Sequence, residues 1–242
     1  MPMVRVGRVN IQLADSMKYL GIMVDGSWNF RSHFCYVESK ASRVIRALNR
    51  LMPNLRGPGE RKRQLFAKVL TSVVMYASPV WAEAFSSASD RVDRPLRRLQ
   101  RAIAIRMIAG YRTVSYDAAT LLARNPPWPL EATMRSRIYN RITDLRARGE
   151  YSPQTDAEVR DGEYLSLIRQ WQISLDRPGI WGQKTVSAIR PHLHRWLVHK
   201  FGEINFYGAQ MLTGHGSFGL FFFFMEDKQD GGTGVSSLPF GG

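Results

Sequence analysis

Cysteine is almost missing from this chain: Cys35 is the only one in 242 residues. A lone thiol excludes a disulfide framework and any thiolate zinc cluster built within the chain, and it accords with a reducing compartment. No apolar core of signal-peptide length follows Met1. The longest apolar run, Leu220-Phe221-Phe222-Phe223-Phe224-Met225, is far short of the ~20 residues of a membrane span. We therefore expect a nuclear or cytoplasmic protein with no membrane partner. Nor is there an Asp-Asp pair anywhere; Asp15 and Asp25 stand singly at predicted strand ends. Two-metal chemistry needs several carboxylates on one rigid scaffold, so no catalytic residue and no metal site is expected within these residues. There is no internal repeat.

Acidic residues are the other shortage. Asp and Glu number 20 against 34 Lys and Arg, a net charge of +14 with pI near 10.4. Hydrophobic residues at 44% and aromatics at 11% are enough for a folded core. The imbalance is local: residues 31–70 hold ten basic and two acidic side chains, and residues 91–150 hold thirteen and five. Residues 201–242 hold one Lys and four acids. Positive charge confined to two segments, with Arg dominant, fits a surface for a polyanion; a merely solvated helix face is the plainer reading.

Periodicity reads as mainly α. Residues 3–6 and 9–13 alternate like strands, and residues 17–24 read as one further strand ended by the turn pair Asp25-Gly26. From Phe30, the spacing of Phe34, Val37, Ala41, Val44, Ile45, Leu48 and Leu51 predicts a helix of about twenty residues. Asn29 is placed to cap it and Pro53 to stop it. Gly57-Pro58-Gly59 makes a turn before a helix over 60–74, and Pro79 is expected to kink or end its continuation before Trp81. Residues 86–90 read as a linker. A helix over 92–109 turns Leu96, Leu99, Ile103 and Met107 inward; shorter or longer helices follow over 116–123, 130–148, 158–172 and 182–199. Asn125-Pro126-Pro127-Trp128-Pro129 reads as a break and a domain boundary. Residues beyond 231 are Gly/Ser-rich and read as disordered. Met75, Tyr76 and Trp81 read as core. His192, His194 and His199 share a predicted helix, but their spacing does not align them as a metal pair.

Several islands carry a family likeness. They are Lys18-Tyr19-Leu20-Gly21, Pro53-Asn54-Leu55-Arg56-Gly57-Pro58, Tyr76-Ala77-Ser78-Pro79-Val80-Trp81-Ala82, and the block from Leu96-Arg97-Arg98-Leu99-Gln100-Arg101 through Gly110-Tyr111-Arg112-Thr113-Val114-Ser115. In order and spacing they resemble the C-terminal half of the reverse transcriptase of non-LTR retrotransposons, above all the type-1 elements that insert into arthropod ribosomal RNA genes. The resemblance implies the end of a polymerase palm at residues 1–28, a helical thumb at 29–124, a post-thumb helical region at 125–218 and a tail at 219–242. It implies a catalytic Asp pair upstream of Met1 and Mg²⁺ for the parent polymerase, with no cofactor in this part, which is expected to be inactive alone. Lys18, Tyr19, Leu20 and Gly21 then match the strand-turn that presses on the primer end, Gly21 allowing close backbone approach. Lys40, Arg43, Arg46, Arg50, Arg61, Lys62, Arg63, Arg97, Arg98 and Arg101 are expected on phosphates, since a polymerase holds any sequence.

The implied partners are RNA and DNA (element RNA, primer–template duplex and a ribosomal DNA target) and the upstream palm. The parent polyproteins join an endonuclease to the polymerase, but nothing in these residues shows nuclease chemistry. Leu212-Thr213-Gly214-His215-Gly216-Ser217-Phe218 resembles the approach to a C-terminal zinc knuckle. The family pattern implies Cys where Ser217 stands and a Cys-rich start where this chain has Leu238-Pro239-Phe240-Gly241. The competing reading is a standalone basic helical nucleic-acid-binding or scaffold module without catalysis.

Overall fold

The computed structural model describes residues 3–12, 14–53, 57–86, 90–198 and 204–214. Two short hairpins lead: β1 (Met3–Val6) pairs with β2 (Val9–Gln12), and β3 (Ser16–Tyr19) with β4 (Ile22–Asp25), as two separate antiparallel sheets. Helices follow: α1 (Arg31–Leu51), α2 (Glu60–Val74), α3 (Ser78–Ser86), α4 (Asp90–Met107), α5 (Tyr116–Leu122), α6 (Trp128–Ala147) and α7 (Pro153–Ser174). After them come α8 (Gln183–Ile189), a 3-10 turn (Arg190–His192), α9 (Leu193–Val198) and α10 (Phe206–Thr213). The chain is mainly α. Among the described residues no single helix is long and apolar enough to cross a membrane.

Residues 17–24 are not one strand but a hairpin. Leu20 and Gly21 take φ of 45° and 88°, the left-handed pair that reverses a strand in two residues. The apolar run masks the turn because Leu occupies a position that usually belongs to Asn, Asp or Gly.

Asp25 ends β4 and organises the entry to α1. Its carboxylate accepts from the backbone N–H groups of Ser27 (3.1 Å), Asn29 (3.2 Å) and Phe30 (2.8 Å). Asn29 accepts from the N–H of Arg31, the first residue of α1, at 3.0 Å. Asn29 thus meets the first N–H of α1, while Asp25 fastens the turn that leads into it.

Pro79 begins α3 rather than ending a helix. As the second residue of that helix it lacks an N–H where none is needed, and the chain has already turned at Ala77, which takes φ 52°. Trp81 thus lies inside α3 and is buried. Its indole N–H donates to the Tyr76 carbonyl at 2.9 Å, and its ring packs on His33, Phe34 and Phe85.

The core follows the predicted stripe. Phe34, Val37, Ala41, Ile45 and Leu48 of α1 are buried, and α1 packs on α2 and α4. Leu96, Ile103 and Met107 of α4 are buried, with Leu99 packed at the edge. Helix α3 lies along α6, which packs on α7, while α4 packs on α5.

One apolar cluster runs through these helices and on to Val186, Trp196 and Ala209. It continues across residues 125–129, where buried Gln100 of α4 acts as a hub. Its amide donates to the Pro126 carbonyl (2.7 Å), and its oxygen accepts from Tyr116 hydroxyl (2.8 Å) and Trp128 N–H (3.1 Å). Helix α10 has no counterpart in the sequence reading; its eight residues include Gly208 and give too short a period to detect.

Candidate nucleic-acid interface

On α1, at about 100° per residue, Arg43, Arg46 and Arg50 fall on the side opposite the buried stripe and Lys40 on its flank, and all four are exposed. The greasy and cationic faces of this helix are thus back to back. The β3–β4 hairpin packs beside it through β4. Lys18 of the hairpin reaches α1, its Nζ 5.1 Å from the centre of the Tyr36 ring.

Hydrogen bonding from Lys18, then its charge, with the charges of Lys40 and Arg43, holds the Tyr36 phenol below its usual range. Lys18 therefore extends the α1 cationic stripe onto the hairpin. Tyr36, which the sequence reading passed over, is the residue around which these cations gather.

The hairpin tip turns Tyr19 and Leu20 outward, 59% and 73% exposed. Gly21 is hemmed in from within the protein. A Cβ there would sit 3.1 Å from Tyr76 Cε1, and the Tyr76 hydroxyl donates to the Leu20 carbonyl at 2.9 Å. The space that glycine leaves open is taken by Tyr76. Tyr76 itself is half exposed rather than core, whereas Met75 and Trp81 are buried as expected.

The α2 group divides. Arg61 and Lys62 are exposed, but Arg63 is buried at 3% exposure. Its guanidinium donates to the carbonyls of Pro58 (2.7 Å) and Arg106 (2.6 Å) and to that of Pro53. Burial, then the neighbouring Arg106 charge, lowers its pKa. Arg63 thus fastens the α1–α2 connection to the end of α4, and we correct its assignment: it faces carbonyls, not phosphates. Gly57 is required beside it, since a Cβ would fall 2.1 Å from the Pro53 carbonyl oxygen.

Arg61 borders a different feature, a cavity of about 860 Å³ between α2, the start of α6 and α9. Lys68 and Arg124 also line it, with Glu60 and Glu131. Glu131 is engaged by Arg135 at 2.7 Å, and Glu60 accepts from Gln64 at 2.7 Å and from Ile204 N–H at 2.5 Å.

The α4 group divides as well. Arg98 is exposed. Arg97 lays its guanidinium over the Tyr116 ring, 4.4 Å from the centroid. Arg101 is half-buried and donates to the carbonyls of Val114 (2.8 Å) and Arg112, pinning the loop that leads to α5. His192 and His194 are exposed on the 3-10 turn and α9. His199, the knuckle approach from His215 with Ser217, Phe221–Phe224 and the tail at 219–242 lie outside the described residues, as do Asn54, Leu55 and Arg56.

A helical body with a continuous cationic stripe running onto a β-hairpin defines a basic, mainly α protein suited to a polyanion. The chain is a relative of the Pol polyproteins of type-1 retrotransposable elements.

It is 30% identical over 233 residues, 89% of its length, to the Retrovirus-related Pol polyprotein from type-1 retrotransposable element R1 of Bradysia coprophila. It is 28% identical over 228 residues, 91% of its length, to the putative 115 kDa protein in type-1 retrotransposable element R1DM of Drosophila melanogaster. A Pol polyprotein from Nasonia vitripennis is 30% identical over 125 residues, 51% of this chain. The chain spans 22% of the length of each of the first two relatives. No family model matches the chain, and no solved structure matches it.

Proposed function

We propose that this chain is the nucleic-acid-holding part of a retrotransposon RNA-directed DNA polymerase, the reverse transcriptase and endonuclease polyprotein of its relatives. It grips primer–template duplex, element RNA or target DNA during target-primed copying, with the carboxylates and Mg²⁺ of the reaction contributed by the palm. Residues 1–28 act as the end of that palm, 29–124 as the thumb, 125–218 as a post-thumb binding region and 219–242 as a tail.

The observation that carries the reading is the shared surface around Tyr36. There the hairpin cation Lys18 joins Lys40 and Arg43 of α1, and Arg46 and Arg50 continue the same face. A stripe that follows one helix and ends at an exposed turn bearing Tyr19 suits a phosphate backbone whose terminus meets the turn. Likeness to Pol polyproteins over 89% and 91% of the chain supports it independently. The polymerase acts in the nucleus or cytoplasm.

The test is filter binding of a primer–template duplex across a salt series. Wild-type affinity should fall steeply with salt, with a log–log slope of roughly −0.9 per phosphate neutralised. Replacing Lys40, Arg43, Arg46 and Arg50 by Gln should flatten the slope by about 3–4. A slope unchanged by the four substitutions would overturn the assignment of this face.

A further inference from the structure

Trp181 is 82% exposed, the highest value among the described large apolar side chains. An indole offers roughly 150–250 Å² for burial, and here nearly all of it faces solvent. The backbone carrying it is nevertheless fixed on both sides. Ile180 before it is buried. The Trp181 carbonyl accepts from the Ser115 hydroxyl at 2.7 Å. Gly182 after it takes φ 85°, and a Cβ there would lie 2.6 Å from Ser115 Oγ and 3.0 Å from Ala118 Cβ. Gly182 then leads directly into α8. A ring held outward by anchored neighbours is a presented ring.

The segments that hold it carry two arginines. Next to Ser115, Tyr116 carries the guanidinium of Arg97 at 4.4 Å. Arg177, at the start of the same loop, is fixed by donation from its Nε to the Ser174 carbonyl at 2.7 Å. Asp117, two residues beyond Ser115, has its pKa raised by burial against the opposing charges of Arg97 and Arg177. Asp176, the acid of this loop, is paired with Arg190. An aromatic face presented by segments that also carry two guanidinium groups suits unpaired nucleotides, because every base has a face to stack and every linkage a charge. A duplex hides its base faces and would gain nothing from it.

We propose that Trp181 is a stacking platform for an unpaired nucleobase of single-stranded RNA or DNA, with Arg97 and Arg177 holding the adjoining phosphates. The site is separate from the α1 stripe, and the proposal rests on the nucleic-acid-binding reading above.

The experiment uses the full chain with fluorescently labelled oligo(rU), oligo(dT) and the primer–template duplex. Trp181→Ala should weaken single-strand binding roughly tenfold, as expected for one lost stacking contact, and leave duplex affinity and its salt slope unchanged. Trp181→Phe should retain most of the affinity but lose the intrinsic fluorescence quenching that the unlabelled oligonucleotide causes in the wild type. Equal single-strand affinity of wild type and Trp181→Ala, with duplex binding intact, overturns the platform alone. Failure of the wild-type chain to bind any of the three overturns the binding reading and the platform with it.

Discussion

The Tyr76 hydroxyl donates to the Leu20 carbonyl at 2.9 Å, joining two segments 56 residues apart. Leu20 and Gly21 form the turn of the β3–β4 hairpin, and Tyr76 stands at the junction of α2 and α3. The orientation of the exposed hairpin tip is therefore set by the helical body and not by the turn alone. This is also the point at which two of the sequence islands meet in space.

Tyr76→Phe removes only that hydrogen bond. Because Tyr76 is half exposed, global stability should fall by no more than about 1 kcal/mol. Amide exchange within β3 and β4 should speed up while α1 stays protected. Gly21→Ala should cost more, about 1–2 kcal/mol, because φ is 88° and the new Cβ meets Tyr76 Cε1 at 3.1 Å. Equal exchange rates in wild type and Tyr76→Phe would mean that Tyr76 does not anchor the turn.

Arg63 and Arg61 are two residues apart yet should behave oppositely. Arg63→Met leaves the carbonyls of Pro53, Pro58 and Arg106 without their shared donor, and stability should drop by about 2–4 kcal/mol. Arg61→Met should lie within about 0.5 kcal/mol of wild type. Urea midpoints at constant m separate the two. The salt slope of duplex binding by folded Arg63→Met should match wild type, since this side chain faces inward.

Much of the helical body was legible from periodicity. The buried stripe of α1 and the inward positions of α4 follow the 3.6-residue repeat closely, and the cationic face appeared as its complement. Position-specific roles were not legible. Arg63 lies in a run of basic residues, and nothing local distinguishes a guanidinium that collects three carbonyls from its solvated neighbours; the acceptors come from residues 53, 58 and 106. Gln100 was hidden for the same reason, as its partners lie at 116, 126 and 128. The apolar pattern hid the turn at Leu20, which only the family likeness read as a strand-turn, because a leucine takes the left-handed φ there and its carbonyl is held by Tyr76. Trp181 carried no signal, because exposure of an aromatic residue is a tertiary property.

Gln100 should be among the costlier polar positions to replace. Gln100→Leu leaves Pro126 carbonyl, Trp128 N–H and Tyr116 hydroxyl to find other partners within the interior, for a loss of about 2–4 kcal/mol. Tyr116→Phe removes one of the three bonds and should cost about 1 kcal/mol. If Gln100→Leu unfolds at the wild-type urea concentration, the hub does not hold the α4, α5 and α6 start together.

Acid should weaken the fold through His33. The imidazole is 1% exposed, and its Nδ1 accepts from Met23 N–H at 3.4 Å. Its ring lies among Phe30, Phe34 and Trp81, and burial lowers its pKa from 6.5 to about 4. The unfolded chain therefore takes up this proton first as pH falls. Stability is unaffected well above 6.5, declines through the window from 6.5 to 4, and levels off below it, with a total loss on the order of 3 kcal/mol. Asp117 works in the opposite sense, because burial raises its pKa and protonation favours the folded state. Urea unfolding of wild type and His33→Leu at matched pH values cancels Asp117 and isolates His33. The difference in stability between the two should change by that amount between pH 7 and pH 4, and a difference that stays constant with pH would show that His33 titrates alike in the folded and unfolded chains.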